Sequence, residues 1–403
     1  MIDFKQLAHK YKTPLYVYDL DYMSEQYSQL KDAFRARKSL LCYAIKANSN
    51  LSVVKHFAKM GSGADCVSIG EVRRAFLAGI PSYKIIFSGV GKSDDEIREA
   101  IQKDILYINV ESEAELQRVE IIAKELGKIS RISIRVNPNI DPKTHPYIST
   151  GLHDNKFGVD ITTAKRMYIQ ANNSEFLDPV GIHFHIGSQL TELKPIYEAS
   201  EIVADLVRSL LNIKIELKFF DVGGGLGVTY KDETTIPPYE YAQAVLATLK
   251  GLDLTVVCEP GRFLTANGGY FITKVLYEKQ NMDKKFVVVD GAMNDLLRPS
   301  LYKAYHKIEA VTDNDEGSTR DVDIVGPVCE SGDFFAKGYP LPELSHNDLL
   351  VIHSAGAYGF GMGSNYNTRG RSAEVAISGG EARLIRKRES FDDLIANEIE
   401  FLD

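Results

Sequence analysis

Short apolar runs recur along the first two thirds of the chain, and amphipathic segments separate them. The runs that are candidate strands lie at residues 41–46, 63–67, 84–88, 105–110, 131–136, 179–186, 217–222 and 254–259. The segments between them, such as DDEIREAIQK and EAELQRVEIIAKELG, carry apolar residues at helical spacing. Strands that alternate with helices form parallel sheets. Eight units in roughly 220 residues predict a (β/α)8 barrel, which usually needs about 250, and a doubly wound open sheet is the alternative.

The pattern changes after residue 262. Strand-like runs such as KKFVVVDG, DVDIVGPVCES and RSAEVAISGGEARLIRKRE then follow one another, with turn residues and little helix between them. This pattern predicts an antiparallel β domain, and the N-terminal run LYVYDLD is expected to join it. We therefore predict a barrel over residues 26–262 and a β domain formed by residues 1–25 and 263–403. The polar segment 139–159 is predicted to be a loop over the mouth of the barrel.

Composition narrows the class of protein. The chain has 403 residues, of which 44% are hydrophobic and 25% charged, as in ordinary globular proteins of two domains. Its net charge of −8 disfavours nucleic acid as a partner, because phosphate binding needs a basic face. No apolar run approaches the ~20 residues of a membrane span, and the N-terminus lacks a signal pattern. The four cysteines are far apart, which fits reduced thiols in a cytoplasmic protein.

The active site of a (β/α)8 barrel lies at the carboxyl ends of its strands. Charged or polar residues at the predicted strand ends are Lys46, Asp65, Arg135, His183, His185, Glu259 and Arg262. A lysine after a buried strand, such as Lys46, often reaches back to water. The functional alternative is a nucleophilic lysine that forms a Schiff base with a carbonyl group.

His183 and His185 are two residues apart on a predicted strand, so their side chains point to the same side. Such a pair can bind a metal, which makes a metal-dependent hydrolase a rival function, with Asp65 and Glu259 as further ligands. No third histidine lies at a predicted strand end. A core position for His183, and a flat ring stacked on a flat ligand for His185, are the other interpretations.

The run DVGGGLG follows a strand directly, and its glycines allow backbone N–H groups to approach a phosphate closely. Glycines also serve plain tight turns. A ligand with an aldehyde, an aromatic ring and a phosphate would use all these groups together: Lys46 for the aldehyde, His185 for the ring face, and Glu259 for a proton on the ring nitrogen. Pyridoxal 5'-phosphate has these three parts. The residues therefore predict this cofactor and no metal.

YAIKANSN, FHIGSQ, DVGGGLG, CEPGR, GPVCES and AYG occur in this order along the chain. Together they resemble the motifs of the fold-type III pyridoxal-phosphate decarboxylases, the alanine-racemase-like barrel family, over nearly the whole chain. The resemblance implies that Lys46 binds the cofactor aldehyde and that Asp65 and Arg135 act indirectly. The other cofactor-contacting positions that it implies are His185, Ser188, Gly223, Gly224, Gly225, Glu259, Gly261, Arg262 and Tyr358.

The resemblance also implies a catalytic role for Cys329, whose thiol would deliver a proton to a carbanion. Taken without the family, a half-buried structural cysteine is the simpler interpretation. In the related decarboxylases this cysteine comes from the partner subunit. The resemblance therefore implies an obligate homodimer with shared active sites.

The positions that the resemblance implies for the substrate are Arg262, Arg298, Tyr302, Glu330 and Tyr358. A second amino-acid head on the substrate needs a cation for its carboxylate and an anion for its ammonium. Ornithine decarboxylases of this fold have an aspartate after the cysteine, where this chain has Glu330. The implied reaction is therefore decarboxylation of meso-2,6-diaminopimelate to L-lysine and CO2, the last step of bacterial lysine biosynthesis.

Three alternatives share the barrel. A decarboxylase of ornithine, lysine or arginine would use the same cofactor and a different substrate site. An amino-acid racemase would need neither the Cys329–Glu330 pair nor Arg298. A non-catalytic protein that binds pyridoxal phosphate would normally end near the end of the barrel, and the predicted β domain argues against it.

Overall fold

The computed structural model describes residues 2–141, 150, 156–311 and 318–402. The chain divides into two compact units. The barrel unit comprises Ser24–Val228 and Thr234–Phe263, and the β unit comprises Met1–Met23, Thr229–Glu233 and Leu264–Asp403.

The elements alternate between strand and helix in the first part of the chain and are mostly strands afterwards. The strands are β1 (Leu15–Asp19), β2 (Ser39–Ala44), β3 (Gly63–Cys66), β4 (Ile85–Phe87), β5 (Tyr107–Val110), β6 (Ser130–Arg135), β7 (Leu177–His183), β8 (Phe219–Asp221), β9 (Thr255–Cys258), β10 (Gly269–Asn281), β11 (Lys284–Val289), β12 (Ile308–Val311), β13 (Arg320–Val325), β14 (Phe334–Leu341), β15 (Leu349–Ile352), β16 (Ala373–Ser378) and β17 (Glu381–Arg386). The helices are α1 (Phe4–Tyr11), α2 (Leu20–Ala33), α3 (Leu51–Lys59), α4 (Ile69–Leu77), α5 (Asp94–Gln102), α6 (Glu113–Leu126), α7 (Ile161–Asn172), α8 (Leu193–Leu211), α9 (Pro238–Thr248), α10 (Arg262–Thr265), α11 (Arg298–Tyr302) and α12 (Phe391–Ile395).

Strands β2 to β9 form a closed parallel barrel in sequential order. The barrel closes where Leu41 of β2 pairs with Cys258 of β9. The predicted barrel is therefore confirmed, and the open doubly wound sheet is wrong. The predicted strands lie within a few residues of the observed ones. Lys46 lies in the short 3-10 turn Ile45–Ala47 that follows β2, and not in the strand itself.

Serine N-caps begin three successive helices that follow barrel strands. Ser68, Ser93 and Ser112 each accept the backbone N–H of the residue three positions later, at the start of α4, α5 and α6. Glu96 completes a capping box with Ser93. These caps end each strand-to-helix connection at a defined residue. They therefore fix where the connections at the carboxyl ends of β3, β4 and β5 turn into helix.

The β unit contains a sheet in the order β14-β13-β11-β10-β1-β16-β17, to which β12 and β15 are joined through β10. Most pairs are antiparallel, as predicted, but β1 pairs with β16 and β11 pairs with β13 in parallel. Strand β1, the LYVYDLD run, lies between β10 and β16. Strands from the N-terminal and the C-terminal part of the chain therefore belong to the same sheet.

Of the predicted loop 139–159, residues 142–149 and 151–155 lie outside the described residues.

Among the residues that the structure does describe, no helix combines the length and the apolar character needed to cross a membrane.

Candidate active site

A cavity of about 410 Å³ lies in the barrel unit. Its lining includes Lys46, Arg135, His183, His185 and Glu259. These residues lie at or just after the carboxyl ends of β2, β6, β7 and β9. The barrel therefore brings together five of the side chains that the sequence pattern singled out, at the end where such barrels hold their sites.

Lys46 forms a close ion pair with Asp65. Its Nζ lies 2.7 Å from Asp65 Oδ2, and the two side chains are 38% and 0% exposed. The pairing of Ala44 with Asp65 between β2 and β3 brings them together. Burial raises the pKa of Asp65, the charge of Glu259 raises it further, and Lys46 opposes both. Asp65 thus contacts Lys46 directly. This contact is in keeping with the indirect role expected for Asp65, which would act through Lys46 and not by touching a ligand.

Glu259 follows β9 and pairs with His183 at the end of β7. The distance from His183 Nε2 to Glu259 Oε2 is 3.3 Å, and both residues are buried. Burial opposes the ionisation of Glu259, but His183 beside it and then Lys46 lower its pKa below the ordinary value. Glu259 is therefore a buried carboxylate whose negative charge is stabilised by its neighbours.

His185 is held in one tautomer. Its Nδ1 accepts the backbone N–H of Gly224 at 3.3 Å. Burial lowers the pKa of His185 well below its usual value, and the positive charges of Arg135 and Lys46 lower it further. The imidazole is therefore neutral with its proton on Nε2, and it lines the cavity as a flat ring.

The glycine loop after β8 leaves no room for side chains. Gly223 and Gly225 have φ of +63° and +115°, which favour glycine. A Cβ on Gly223 would lie 2.7 Å from the carbonyl oxygen of Phe184. A Cβ on Gly224 would collide with the carbonyl oxygen of Glu259. The glycines thus permit a close approach of three barrel strand ends.

Ser188 and Arg262, both expected to contact the cofactor, are hydrogen-bonded partners. Arg262 Nε and Nη2 donate to Ser188 Oγ at 3.2 and 3.1 Å, and Arg262 is buried. Beside them, Gly261 is close-packed, since a Cβ there would lie 3.0 Å from that of Ala47. These residues form a second polar group in the barrel unit, next to the glycine loop in the strand order.

Arg135 is held by a carboxylate that the sequence pattern did not single out. Its Nη1 lies 3.1 Å from Glu111 Oε1, and its guanidinium lies 4.6 Å from the ring centre of Phe157. Glu111 also accepts the backbone N–H groups of Gly89 and Gly158. Arg135 is therefore fixed by its neighbours, in keeping with the indirect role expected for it.

Arg298 and Tyr302 of the β unit lie together. The Arg298 guanidinium lies 5.1 Å from the ring centre of Tyr230 and 5.8 Å from that of Tyr302. Its Nε also lies 3.4 Å from Nε2 of His306, and Arg298 is buried. Stacking between two tyrosines holds the cation in place.

Cys329, Glu330 and Tyr358 lie in loops of the β unit. Cys329 and Glu330 are exposed, which contradicts the half-buried structural cysteine considered above. The backbone N–H of Cys329 donates to Asn367 Oδ1 at 2.8 Å, and Glu330 Oε1 accepts the N–H of Gly332 at 3.3 Å. Tyr358 has φ of 57°, an uncommon backbone conformation for a bulky residue.

Buried polar atoms test whether a cofactor fits the cavity. Glu259 Oε1, His183 Nδ1 and Asp65 Oδ1 have no hydrogen-bond partner within the described part of the chain. Buried polar atoms are nearly always satisfied. Glu259 Oε1 thus fits a protonated ring nitrogen, and Lys46, half exposed at the cavity, fits an aldehyde. His183, Asp221 and Glu259 also offer ligand atoms within 4.8 Å of one another, so geometry alone would allow a metal.

Two of these contributors, Asp221 and Glu111, were not singled out in the sequence. Asp221, the last residue of β8, accepts the N–H of Gly223 at 3.0 Å and the hydroxyl of Tyr107 at 2.9 Å. Glu111 follows β5. Both are carboxyl groups at predicted strand ends, so the rule that found Asp65 and Glu259 applied to them as well. Only their contacts with residues distant in sequence, Tyr107 for Asp221 and Arg135 for Glu111, mark them as parts of this site.

The fold and the cavity together define a (β/α)8-barrel enzyme with a lysine, a histidine and a glutamate at its carboxyl-end face. Residues 20–266 match the family model described as pyridoxal-dependent decarboxylase, pyridoxal binding domain. The chain belongs to this family of pyridoxal-dependent decarboxylases. The predicted cofactor is thereby confirmed, and the metal-dependent hydrolase is wrong.

The chain is similar to curated relatives over its full length. It is 59% identical to a diaminopimelate decarboxylase of Campylobacter jejuni, with 100% of both chains covered. It is 55% identical to one of Helicobacter pylori, again with 100% of both covered. Among solved structures, it matches the crystal structure of diaminopimelate decarboxylase from Helicobacter pylori complexed with L-lysine, with a TM-score of 0.97, 54% identity, and coverage of 99% of this chain and 100% of the other.

Proposed function

We propose that this protein converts meso-2,6-diaminopimelate to L-lysine and CO2 with pyridoxal 5'-phosphate as its cofactor. The observation that carries the proposal is the full-length match to diaminopimelate decarboxylases, at 59% identity with the Campylobacter jejuni relative. The cavity supports it, because Lys46, His185 and Glu259 line one space. The reaction would be the last step of lysine biosynthesis.

Bound pyridoxal phosphate supplies an aromatic ring that accepts the electron pair released when a carboxylate leaves. Lys46 supplies the amine for the cofactor aldehyde, and Asp65 Oδ2, 2.7 Å away, orients that amine and takes part in its protonation. Glu259 would hold a proton on the ring nitrogen, which its lowered pKa supports. His185, neutral and fixed by Gly224, would offer its flat face to the ring.

The phosphate of the cofactor would bind at the glycine loop. Gly223, Gly224 and Gly225 offer a backbone that side chains do not obstruct. The Ser188–Arg262 pair adds a hydroxyl and a cation. The remaining residues assigned to cofactor binding are Arg135, Gly261 and Tyr358.

The far end of the substrate would bind Arg298 and Tyr302, with Arg262, Glu330 and Tyr358. Arg298 provides the cation for the distal carboxylate, and its stacking on Tyr230 and Tyr302 supports a fixed orientation. Glu330 provides the anion for the distal ammonium, and its exposed side chain supports access to a ligand.

Cys329 would protonate the carbon from which CO2 has left, and its exposed thiol supports this role. We propose that it acts in the active site of a partner subunit, so that the homodimer shares its sites. We also propose a cytoplasmic location, which the four free cysteines support.

The first experiment follows L-lysine release by purified protein with pyridoxal phosphate and meso-diaminopimelate. L-ornithine, L-arginine and L-lysine are tested in parallel. Lysine from diaminopimelate alone is the expected result. Turnover of another amino acid would retain the cofactor site and reassign Arg298 and Glu330. Racemisation without CO2 release would overturn the proposal.

A subunit-mixing experiment tests the shared site. Lys46→Ala and Cys329→Ala are each expected to give inactive protein. When they are mixed and allowed to exchange subunits, about one quarter of wild-type activity should return, because half of the dimers are mixed and each has one intact site. If Cys329 acted within its own chain, each site of a mixed dimer would lack one of the two groups, and no activity would return.

A further inference from the structure

His183 differs from the other cavity histidine in what it contacts. It ends β7, and it is in register with Arg135 of β6 and with Asp221 of β8. Its Nε2 lies 3.3 Å from Glu259 Oε2, and the two residues are 1% and 5% exposed. Both line the cavity that also contains Lys46. His183 is therefore a polar partner of Glu259, and not a histidine surrounded by apolar core.

The two carboxylate oxygens of Glu259 are unequal. Oε2 has His183 as its partner, whereas Oε1 is buried with no hydrogen-bond partner among the residues described. A buried carboxylate oxygen without a donor is costly, so a donor from a ligand is the expected complement. One oxygen is thus held by the protein, and the other remains for a protonated ring nitrogen.

The nearby Asp221 does not compete with Glu259 for the protonated ring nitrogen, because both oxygens of Asp221 already accept hydrogen bonds. Gly223 N–H donates to Oδ1 at 3.0 Å, and the Tyr107 hydroxyl donates to Oδ2 at 2.9 Å. Burial raises the pKa of Asp221 well above its usual range, and the charge of Glu259 raises it further. The negative charge of this buried cluster therefore resides on Glu259, next to His183.

We propose that His183 is a positioning residue, which orients the Glu259 carboxylate so that its second oxygen holds the proton of the cofactor ring nitrogen. This inference rests on the proposed function for its cofactor and goes beyond it in assigning a residue. His183 acts through Glu259 and does not itself touch the reacting atoms. Its removal should therefore change the state of the ring nitrogen and the chemical step more than it changes substrate binding.

The test compares His183→Leu, which removes the donor, with His183→Gln, which keeps an N–H donor of similar reach. Both are loaded with pyridoxal phosphate labelled with 15N in the ring, and the 15N chemical shift reports the ring proton. His183→Leu is expected to move the shift towards the unprotonated value and to lower kcat about ten- to a hundredfold, as for loss of a hydrogen bond to a charged group. KM for diaminopimelate should stay within about threefold. His183→Gln should recover most of both losses.

A double-mutant cycle separates positioning from mere packing. If His183 acts through Glu259, adding His183→Leu to Glu259→Gln should cost little more than Glu259→Gln alone. His56→Leu is the matched control, since His56 contacts Ser24 on another helix of the barrel unit and should leave kcat and the 15N shift unchanged. Should His183→Leu fail to fold, His183→Asn replaces it, because the shorter amide does not span the distance to Glu259.

Three results would overturn the inference. One is an unchanged 15N shift in His183→Leu, which would mean that His183 only fills space. Another is a loss of activity that adds fully to that of Glu259→Gln. The third is a stoichiometric metal in the wild-type protein that His183→Leu lacks, which would assign the cluster to a metal. Wild-type protein that binds no pyridoxal phosphate would instead contradict the proposed function.

Discussion

Two buried carboxyl groups at the carboxyl-end face of the barrel differ in the state that their surroundings favour. Asp65 lies at β3 beside Lys46, and Glu259 lies after β9 beside His183. Each has one paired oxygen and one buried oxygen without a partner in the described structure. Yet the pKa of Asp65 is raised and that of Glu259 is lowered, although burial by itself would raise the pKa of both groups. Burial alone therefore does not decide which carboxyl group carries the charge.

The difference follows from mutual repulsion. Two carboxylates near each other in a medium of low dielectric constant do not both ionise easily, so one takes the charge and raises the pKa of the other. Glu259 has His183 as its closest partner and takes the charge, and its charge in turn raises the pKa of Asp65. Under the proposed function, the Glu259 side provides fixed charge, and the Lys46–Asp65 side is where protons move.

The largest effect is expected from Lys46→Ala, which removes the amine on the side where protons move. We expect a loss of turnover of about a thousandfold or more, because no other group replaces a covalent nucleophile. The measurement is L-lysine release at saturating diaminopimelate. Lys218→Ala, at the opposite end of a barrel strand, is the control and should retain wild-type turnover. Turnover above about one hundredth of the wild-type rate would contradict the role of Lys46.

Glu259→Gln tests the side of fixed charge. Glutamine keeps the size of glutamate and loses its charge, so the ring nitrogen no longer keeps its proton. We expect kcat to fall by about a hundredfold, as for other preorganised groups that stabilise charge in a transition state. Steady-state kinetics give the value, and Glu240→Gln on the exposed face of α9 is the matched control. An unchanged kcat would remove the electrostatic role of Glu259.

Asp65→Asn should have a smaller effect on rate. It removes the ion pair with Lys46 but leaves the amine in place, and we expect kcat to fall roughly tenfold, as for loss of one charge-assisted hydrogen bond. The same change removes a buried carboxyl group whose pKa is raised, so the melting temperature near neutral pH should not fall. Asp104→Asn, exposed and paired with Arg131, is the control. A loss of rate as large as that of Lys46→Ala would show that the two groups act as one unit.

The smallest effect is expected at Glu71, whose carboxyl group interacts with the charge of Lys46. Burial raises its pKa from 4.5 to about 7, while the N–H of Val67 and the charge of Lys46 oppose that rise. Between these two values the folded state binds more protons than the unfolded state, so the stabilisation present below pH 4.5 is lost as the pH rises to about 7. The loss is at most about 3 kcal/mol.

Thermal unfolding of wild-type protein and Glu71→Gln from pH 5 to 8 measures this pH-dependent contribution of Glu71 to stability. The wild-type melting temperature should decline more steeply with pH than that of the variant, because glutamine does not titrate. Parallel curves for the two proteins would contradict the raised pKa of Glu71. The same comparison with Glu240→Gln should give no change in slope, since Glu240 is exposed.

The barrel could be predicted from the sequence because each buried parallel strand reads as an apolar run, and each helix as an amphipathic one. The ends of the strands were predicted less exactly. Lys46 and Glu259, assigned to strand ends, come after the last residues of β2 and β9. The parallel pairs β1–β16 and β11–β13 of the β unit were not predicted, because an apolar run does not indicate which strand will be its neighbour or in which direction.

Chemistry at single positions was likewise predictable only in kind. Lys46, His185 and Glu259 were chosen for their residue types at strand ends, and all three line one cavity. The Lys46–Asp65 contact and the His183–Glu259 contact join residues 19 and 76 positions apart. Pairing of that range depends on barrel closure and register, which local patterns do not encode.

The sequence by itself determined the class of fold, the candidate residues and the nature of the cofactor. Apolar periodicity and residue type are local properties, which are present in the sequence before the chain folds. Only the tertiary structure decided which partner each candidate has and which carboxyl group carries the charge. The reason is electrostatic: a pKa depends on burial and on charges within a few ångströms, and those charges come from strands that are distant in the chain.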